Sequence, residues 1–497
     1  MRRSAALVLT RRRGERLEVF LVERAPELRF FGGYWAFPGG VVDEVDRLPG
    51  EEGDGAALER CALRELFEET GLLPGALEAA IPTARREALR NSLLDLETDA
   101  SDWAEFVPAV DAARSELQHV TTITTPPFAP VRHETPFLQV ELPEEQEPDV
   151  WLGELVQGRF FDPAALLAAW NAGEYAVAPP VLYLLGLMEG VDLAGFFENA
   201  RAMGERLANG ELHRACFAPG TMIAPLRTPT LPPATTTNCV MVGEERVWIV
   251  DPATYERSEQ ERLFETLDRW RDAGRELCGV LLTHHHHDHV GATRAVAERY
   301  DLEVHAHPET FERVDLAGLR TVSLRDGETR DLGTAPDGTT GWTLTAYETP
   351  GHADGHLVFI DSRYRTAIVG DLVSTLSTIV IDPPEGHMAT YIASLQRILD
   401  LDIRVLIPAH GVAQRVGSDV LRYHLRRRAE REAKLVGVLE RGPAELDELL
   451  ALVYDDAPEI VQPYARRSLL AGLQKLEEES RVLRDSERWA LTDGAPA

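Results

Sequence analysis

Gly279-Val280-Leu281-Leu282-Thr283-His284-His285-His286-His287-Asp288-His289 settles how the middle of this chain folds. An apolar run of strand length stops abruptly at a threonine and a cluster of imidazoles, so the cluster sits on a loop just past a strand end. His284 and His286 alternate and can converge on one metal ion, while Asp288 and His289 turn toward a second. Imidazole with carboxylate suits zinc or a similar divalent transition metal. Four ligands do not complete two sites, and the chain supplies more in similar settings. These are His352 in Thr349-Pro350-Gly351-His352, Asp371 directly after Ala367-Ile368-Val369-Gly370, and His410 in Leu406-Ile407-Pro408-Ala409-His410-Gly411. Asp251 ends a further apolar run, Val247-Trp248-Ile249-Val250.

This ordered set resembles the metallo-β-lactamase superfamily, whose T-H-x-H-x-D-H loop is followed by His, Asp and His in the same order; the resemblance covers 215–420. It implies an αββα sandwich with two Zn²⁺ or similar divalent ions. His284, His286 and His352 would bind the first, Asp288, His289 and His410 the second, and Asp371 would bridge both. Asp251 falls where the family's supporting aspartate orients a ligand histidine, and His356, like His285 and His287, is expected beside the ligands. Two cations about 3.5–4 Å apart make a water nucleophilic near neutral pH, so neither a serine nor a cysteine nucleophile is required. Two substrate classes follow from the resemblance. One is a thioester, as in hydroxyacylglutathione hydrolases and acyl-thioesterases. The other is RNA, because the segment 215–490 is similar to a lactamase-β-like group that carries a small C-terminal helical or winged domain and includes an endoribonuclease. Dedicated nucleases of the superfamily commonly insert a large domain between the Asp and the final His, whereas Asp371 and His410 are only 39 positions apart. The thioester reading is preferred.

A second constellation lies upstream. Arg64-Glu65-Leu66-Phe67-Glu68-Glu69-Thr70-Gly71-Leu72 places three carboxylates at i, i+3 and i+4, within one narrow arc of a helix. Such crowding is tolerable when divalent cations neutralise it, and oxygen ligands suit Mg²⁺ or Mn²⁺. With Phe37-Pro38-Gly39-Gly40 upstream, the segment resembles the Nudix box, G-x5-E-x7-R-E-U-x-E-E-x-G-U, U being aliphatic. By that resemblance Glu65, Glu68 and Glu69 hold the metal and Arg64 orients them. The first half of the box departs: Asp46 stands where the pattern has Glu, and seventeen residues rather than seven separate it from Arg64. We read 47–56 as an inserted surface loop. Arg24-Ala25-x3-Arg29-x3-Gly33-x3-Phe37-Pro38-Gly39-Gly40 is similar to the extended motif of the coenzyme A diphosphatases, which implies Arg24, Arg29, Gly39 and Gly40 as substrate contacts. Thr125-Pro126-Pro127-Phe128-Ala129-Pro130, Arg132-His133-Glu134-Thr135-Pro136-Phe137 and the Leu-rich 182–187 after Ala178-Pro179-Pro180 are similar to the peroxisomal-type branch of that group.

Composition fits a modular, packed protein. The chain's 497 residues correspond to about three domains at the usual size. A 44% hydrophobic content with 27% charged residues excludes a disordered chain. The 82 acidic residues outnumber the 51 Lys and Arg, and a net charge of −31 disfavours nucleic acid as a general partner. No run is long enough for a membrane span, and a cytoplasmic location is expected. Cys61, Cys216, Cys239 and Cys278 show no C-x-x-C pair, which argues against disulfides and thiolate zinc and leaves packing as their role. The stretch 224–233, rich in Pro and Thr, is read as unable to sustain a helix or a central strand.

The expected organisation is therefore multidomain α/β. A Nudix α/β/α sandwich spans 1–205, with insertions near 47–56 and 75–120. A linker over 206–235 leads into the metallo-β-lactamase αββα sandwich, 215–420, and a small winged-helix-like α domain spans 421–497. The last domain is read from helices around 425–440, 444–454 and 464–479, followed by Arg481-Val482-Leu483-Arg484 and Arg488-Trp489-Ala490-Leu491 around a polar turn. Together these features describe a bifunctional hydrolase of small molecules, a Nudix diphosphatase on coenzyme A-like molecules and a binuclear thioester hydrolase. The alternatives are an endoribonuclease in the C-terminal half, marked by the basic run Arg422, Arg426, Arg427, Arg428, Arg431 and Lys434 with Arg466, Arg467 and Lys475 beyond it, or a Nudix half that only binds. Oligomeric state is not encoded in these patterns.

Overall fold

The computed structural model describes residues 1–28, 31–94, 101–144, 146–212 and 215–492. The chain divides into two compact units, Met1–Pro219 and Gly220–Ala497.

The first unit is organised by β1 (Arg2–Arg13), whose apolar centre Leu7, Val8 and Leu9 is fully buried. Burial on both faces is what a continuous apolar run predicts. With β2 (Arg16–Arg24), β3 (Trp35–Ala36), β4 (Gly39–Val41), β5 (Gln118–Thr124), β6 (His133–Glu141) and β7 (Leu155–Phe161), it forms a mixed sheet of order β3-β2-β1-β6-β5, with β4 on β1 and β7 on β2. β1 runs parallel to β6 and antiparallel to β2 and β4. The helix α1 (Gly55–Thr70) packs two stripes at once. Leu58, Cys61, Ala62 and Leu66 face the sheet, while Leu63 and Phe67 join Leu77, Ile81, Leu89, Trp103 and Val110 from the short helices that follow. Gripped on two sides, α1 is buried along most of its length, and Glu68 and Glu69 are themselves buried. Gly71, at φ 69°, closes the helix through its N–H to Phe67 O.

The second unit contains two facing layers of strands. β8 (Thr221–Arg227), β9 (Thr236–Val242), β10 (Arg246–Val250), β11 (Glu276–Leu281), β12 (Val304–Ala306) and β13 (Thr321–Ser323) lie side by side in chain order. β14 (Thr329–Thr334), β15 (Thr340–Glu348), β16 (Leu357–Asp361), β17 (Thr366–Ile368) and β18 (Val405–Ile407) make the other sheet, also in chain order. A strand through Pro225 corrects the sequence reading of 224–233. Pro225 pairs in register with Asn238, whose N–H goes to Ala409 O instead, so the proline sits where the ladder makes no demand on it.

Beyond the sheets, α2 (Met388–Leu399) packs on α3 (Gly417–Leu439) and α5 (Gln462–Glu478), and α4 (Leu446–Val453) packs on the same two helices. α3 begins well before residue 425, because Leu421 and His424 are buried and bind its first turns to the sandwich. The strands β19 (Ala444–Glu445), β20 (Val482–Asp485) and β21 (Arg488–Leu491) form a small sheet of order β19-β21-β20, and Trp489 covers a core of Leu439, Leu449, Leu469 and Leu473. Among the described residues no helix is long and apolar enough to cross a membrane.

One buried carboxylate ties the second sheet together. Asp361 accepts from Trp342 Nε1 at 2.8 Å, from the N–H groups of Arg363 and Tyr364 at 3.0 and 2.6 Å, and from Thr366 N–H at 2.6 Å. Trp342→Phe keeps the ring but removes one donor from this fully buried charge, and a hydrogen bond to a charged group contributes about 1.5–3 kcal/mol. The expected result is a lower midpoint of urea unfolding by that free energy; an unchanged midpoint would show that the Asp361 knot does not need this donor.

Candidate functional sites

In the first unit β4 lies so close to β1 on one side and to α1 on the other that side chains do not fit at Gly39 and Gly40. A Cβ on Gly39 would lie 2.3 Å from Ala5 O, and one on Gly40 would lie 2.2 Å from Glu65 Oε1. Gly39 N–H donates to Glu69 Oε2 at 3.0 Å. Arg64 crosses the helix face. Its Nε and Nη2 donate to the two oxygens of Asp46, each at 2.9 Å, and Nη1 donates to Glu68 Oε1 at 2.8 Å and lies 3.2 Å from Glu65 Oε1. Asp46 is fully buried and ends a short 3₁₀ turn, Glu44–Asp46, that also forms a capping box with Asp43. The shorter acid thus reaches Arg64 in spite of the longer connection. That connection is anchored by Arg60, which binds Glu51, Asp111 and Asp46 O.

The carboxylates repel one another in a poorly solvated place. Burial, and then the Glu65 charge, pushes Glu69 well above the usual carboxylate range, with the Gly39 N–H and Arg24 pulling the other way. Burial pushes Glu65 up to about 7 against the pull of Arg64, and Glu68 shifts upward for the same reason. A divalent cation would relieve this crowding, and hard oxygen donors fit such an ion. Arg90, which the sequence did not single out, caps the far end of α1: Nε donates to Glu68 O at 2.8 Å and Nη2 to Glu69 O at 3.1 Å. Arg24 ends β2, and Arg29 lies outside the described residues.

In the second unit, four strand ends bring the distant histidines and aspartates together. Thr283 Oγ1 donates to Asp251 Oδ2 at 2.6 Å, and so accepts the proton on His284 Nδ1, 3.0 Å away. Asp251, at φ 48°, also takes His289 Nδ1 at 2.8 Å. His352 Nδ1 lies 2.9 Å from Val380 O and His410 Nδ1 lies 3.0 Å from Thr236 O. A carbonyl only accepts, so each Nδ1 carries the proton and each Nε2 lone pair turns inward. His286 instead presents Nδ1, 3.0 Å from His284 Nε2 and 3.1 Å from His352 Nε2. These three atoms lie within 4.8 Å of one another, close enough to share one ion.

Asp371 faces both groups of histidines. Its Oδ2 is 3.6 Å from His352 Nε2, and its Oδ1 is 3.3 Å from His410 Nε2 and 3.7 Å from His289 Nε2. Asp288 Oδ2 lies 3.6 Å from His410 Nε2. Ligand atoms within 4.8 Å of one another form the sets His284, His286 and His352; His284, His289 and Asp371; and Asp288, His289 and His410. A further set joins His285 and His286 to Glu385, a residue the sequence reading missed. Among the described residues all such sets belong to the second unit. Buried His289 Nε2 and Asp371 Oδ1 have no hydrogen-bond partner, an arrangement that fits cations between them. Burial and neighbouring imidazoles hold His284 well below its ordinary value and bring His286 down to about 2, so both rings are neutral, as ligands must be. Burial works against the charged form of Asp371, but His410 and His289 outweigh it and keep it ionised. His356 accepts from Asp371 N–H at 3.1 Å and meets Thr349 Oγ1 at 2.8 Å, so both of its nitrogens are occupied. His285 faces Glu385 and His287 is exposed.

Comparison with known proteins follows the same division. Family models match as NUDIX domain over residues 1–177, metallo-beta-lactamase superfamily over 232–410 and beta-lactamase associated winged helix domain over 446–489. A beta-lactamase-like protein 2 homolog of Drosophila melanogaster is 27% identical over 209 residues, 41% of this chain and 69% of that protein. A putative nudix hydrolase 7 of Caenorhabditis elegans is 28% identical over 183 residues, 37% of this chain and 59% of that protein. An atrochrysone carboxyl ACP thioesterase of Pseudocercospora fijiensis is 30% identical over 179 residues, 36% of this chain and 47% of that protein.

Two substitutions test the geometry. Asp46→Ala removes the bidentate partner of the buried Arg64 and leaves its Nε and Nη2 without that carboxylate, and breaking a buried pair costs about 3–5 kcal/mol. Chemical denaturation of the full chain should show the first unit destabilised by that amount; a loss under 1 kcal/mol would mean that Asp46 adds no more than a surface ion pair. Gly351, at φ +122°, has no room for a Cβ, which would lie 2.3 Å from Tyr391 N. Gly351→Ala should therefore displace His352 and lower zinc retention on dialysis, with bound metal measured by mass spectrometry.

Proposed function

We infer the division of labour in this hydrolase, in which a NUDIX domain precedes a metallo-β-lactamase superfamily domain and its associated winged helix, to be diphosphate cleavage by the first unit and thioester hydrolysis by the second. The substrates we propose are coenzyme A or acyl-CoA-like diphosphates at the first site and an acyl thioester, on coenzyme A or another thiol, at the second. Metals held by Glu65, Glu68 and Glu69, and by the histidine and aspartate sets, would supply Lewis acidity and a water that is nucleophilic at neutral pH. We assign Mg²⁺ or Mn²⁺ to the carboxylates and a zinc-like pair to the imidazoles, from ligand hardness.

The chain's own groups do the positioning. Arg64 gathers Glu65 and Glu68 at one guanidinium nitrogen, and Gly39 N–H fixes Glu69. Asp251, Val380 O and Thr236 O set the tautomers of His289, His352 and His410 before any substrate arrives. Arg24, whose charge is felt at Glu69, is suited to a substrate phosphate.

The observation that carries the thioester reading is the state of the C-terminal cations. Arg422 faces Asp419, Arg426 and Arg427 face Glu430, Arg431 faces Asp456 and Lys434 faces Asp455. Arg466, Arg467 and Lys475 face Asp447, Asp382 and Glu432. Arg428 is buried. A surface so neutralised offers little to a phosphodiester backbone, and a similarity to a named ACP thioesterase points the same way.

Mass-spectrometric product analysis of metal-loaded protein with acyl-CoAs, free CoA and a short RNA tests both halves. Free CoA should be released from acyl-CoA by wild type and not by His286→Ala, and 3′-phospho-AMP should be lost with Glu68→Gln. RNA fragments that vanish with His286→Ala, with thioesters intact, would replace the thioesterase reading by a nuclease. No diphosphate cleavage by wild type, and hence none for Glu68→Gln to lose, would reduce the first unit to a binding module.

A further inference from the structure

The loop between Asp371 and α2 is held from below by the C-terminal helices, and its contacts converge on one carbonyl. Val380 O takes the Nδ1 proton of His352. Both neighbours of Val380 are fixed by the helices beyond the sandwich: Arg428 Nη2, on α3, donates to Ile379 O, and Ser468 Oγ, on α5, accepts from Ile381 N–H at 3.1 Å. Arg428 is only 7% exposed and Ser468 5%, so neither contact is a surface accident. The Arg428 guanidinium also lies over the Tyr391 ring, 5.1 Å from its centroid, and the Tyr391 hydroxyl donates to Leu372 O at 2.9 Å, one residue past Asp371. His424 Nε2 donates to Ser374 O at 2.9 Å.

We propose that Arg428 and Ser468 are positioning residues of the His284–His286–His352 centre, holding the Val380 carbonyl that fixes the tautomer and orientation of His352. The physical requirement is simple. An imidazole that loses its carbonyl acceptor can move its proton to Nε2, and the nitrogen that faces His286 then ceases to be a ligand. The winged-helix module thereby serves the metal centre directly, apart from any contact with substrate. This inference rests on the reading of His284, His286 and His352 as ligands of one ion and is independent of which bond the enzyme cleaves.

The test uses the full chain titrated with Co²⁺, whose visible absorption reports the ligand field. His352→Ala identifies which cobalt site depends on that histidine. Arg428→Met keeps most of the side-chain volume and removes the donors, Ser468→Ala removes the acceptor, and Arg428→Lys returns one donor. Arg426→Met, on the exposed face of the same helix, is the control. Arg428→Met and Ser468→Ala should each weaken the His352-dependent site roughly 10-fold or more and change its spectrum, leaving the other site's affinity intact. Arg428→Lys should recover part of the loss, and Arg426→Met should match wild type. Equal weakening of both sites, or an unchanged spectrum with only a lower unfolding midpoint, overturns the proposal. If Arg428→Met does not fold, Ser468→Ala decides by the same readout. A wild type that takes up no cobalt removes the ligand reading itself, and this proposal with it.

Discussion

Both units are built around ionisable groups that the fold withdraws from water and then leaves facing one another. A buried polar atom without a partner costs about 1–3 kcal/mol, and His289 Nε2 and Asp371 Oδ1 are two such atoms in a single cluster. The glutamates of α1 pose the same problem with charge of one sign. Such arrangements survive only where the surrounding structure leaves the side chains no alternative. The helix α1 is gripped by the sheet on one side and by short helices on the other, and Gly39 and Gly40 let the strand β4 press against its carboxylates. In the second unit Asp251 adopts a left-handed backbone and Gly351 presses on Tyr391. Local backbone compromise is thus concentrated where the side chains must converge.

The parts of this architecture legible in the sequence are those where one residue type and one strand end coincide. His284, His286, Asp288 and His289 follow an apolar run, as do Asp371 and His410 at the ends of the parallel neighbours β17 and β18, whereas His352 follows β15, which is separated from β17 by the antiparallel β16. Asp46 was harder to place. Its distance from Arg64 along the chain says nothing about a bidentate contact made across a 3₁₀ turn, and the pair comes together only in the folded chain. Pro225 follows the same logic: a proline disrupts a strand only where its missing N–H would have to donate, and Asn238 opposite it turns its backbone to Ala409 O instead. The start of α3 was misplaced because its first turns are anchored by tertiary burial of Leu421 and His424 rather than by amphipathic periodicity. Arg90, Glu385 and the carbonyls of Val380 and Thr236 carry no sequence signal. A backbone acceptor has no residue identity, and an arginine that caps a helix resembles any other.

Charge explains why the two ends of the chain behave differently. The net −31 is a bulk property, yet most of the arginines that might have countered it locally are committed to nearby acids. Exposed pairs of this kind add little stability. Their effect is on the field outside the protein, which they flatten. In the first unit, by contrast, Arg64 is spent inward, where its partners are buried and the interaction decides the shape of a site.

The Val380 carbonyl has a consequence for the order in which the protein is made. Synthesis proceeds from the N-terminus, so His284, His286 and His352 are polymerised before Arg428, and long before Ser468. A nascent chain possesses every nitrogen of that tripod while lacking the helices that hold its third member in place. On the proposal above, the third member of the tripod takes its final orientation only once α3 and α5 have been added to the chain.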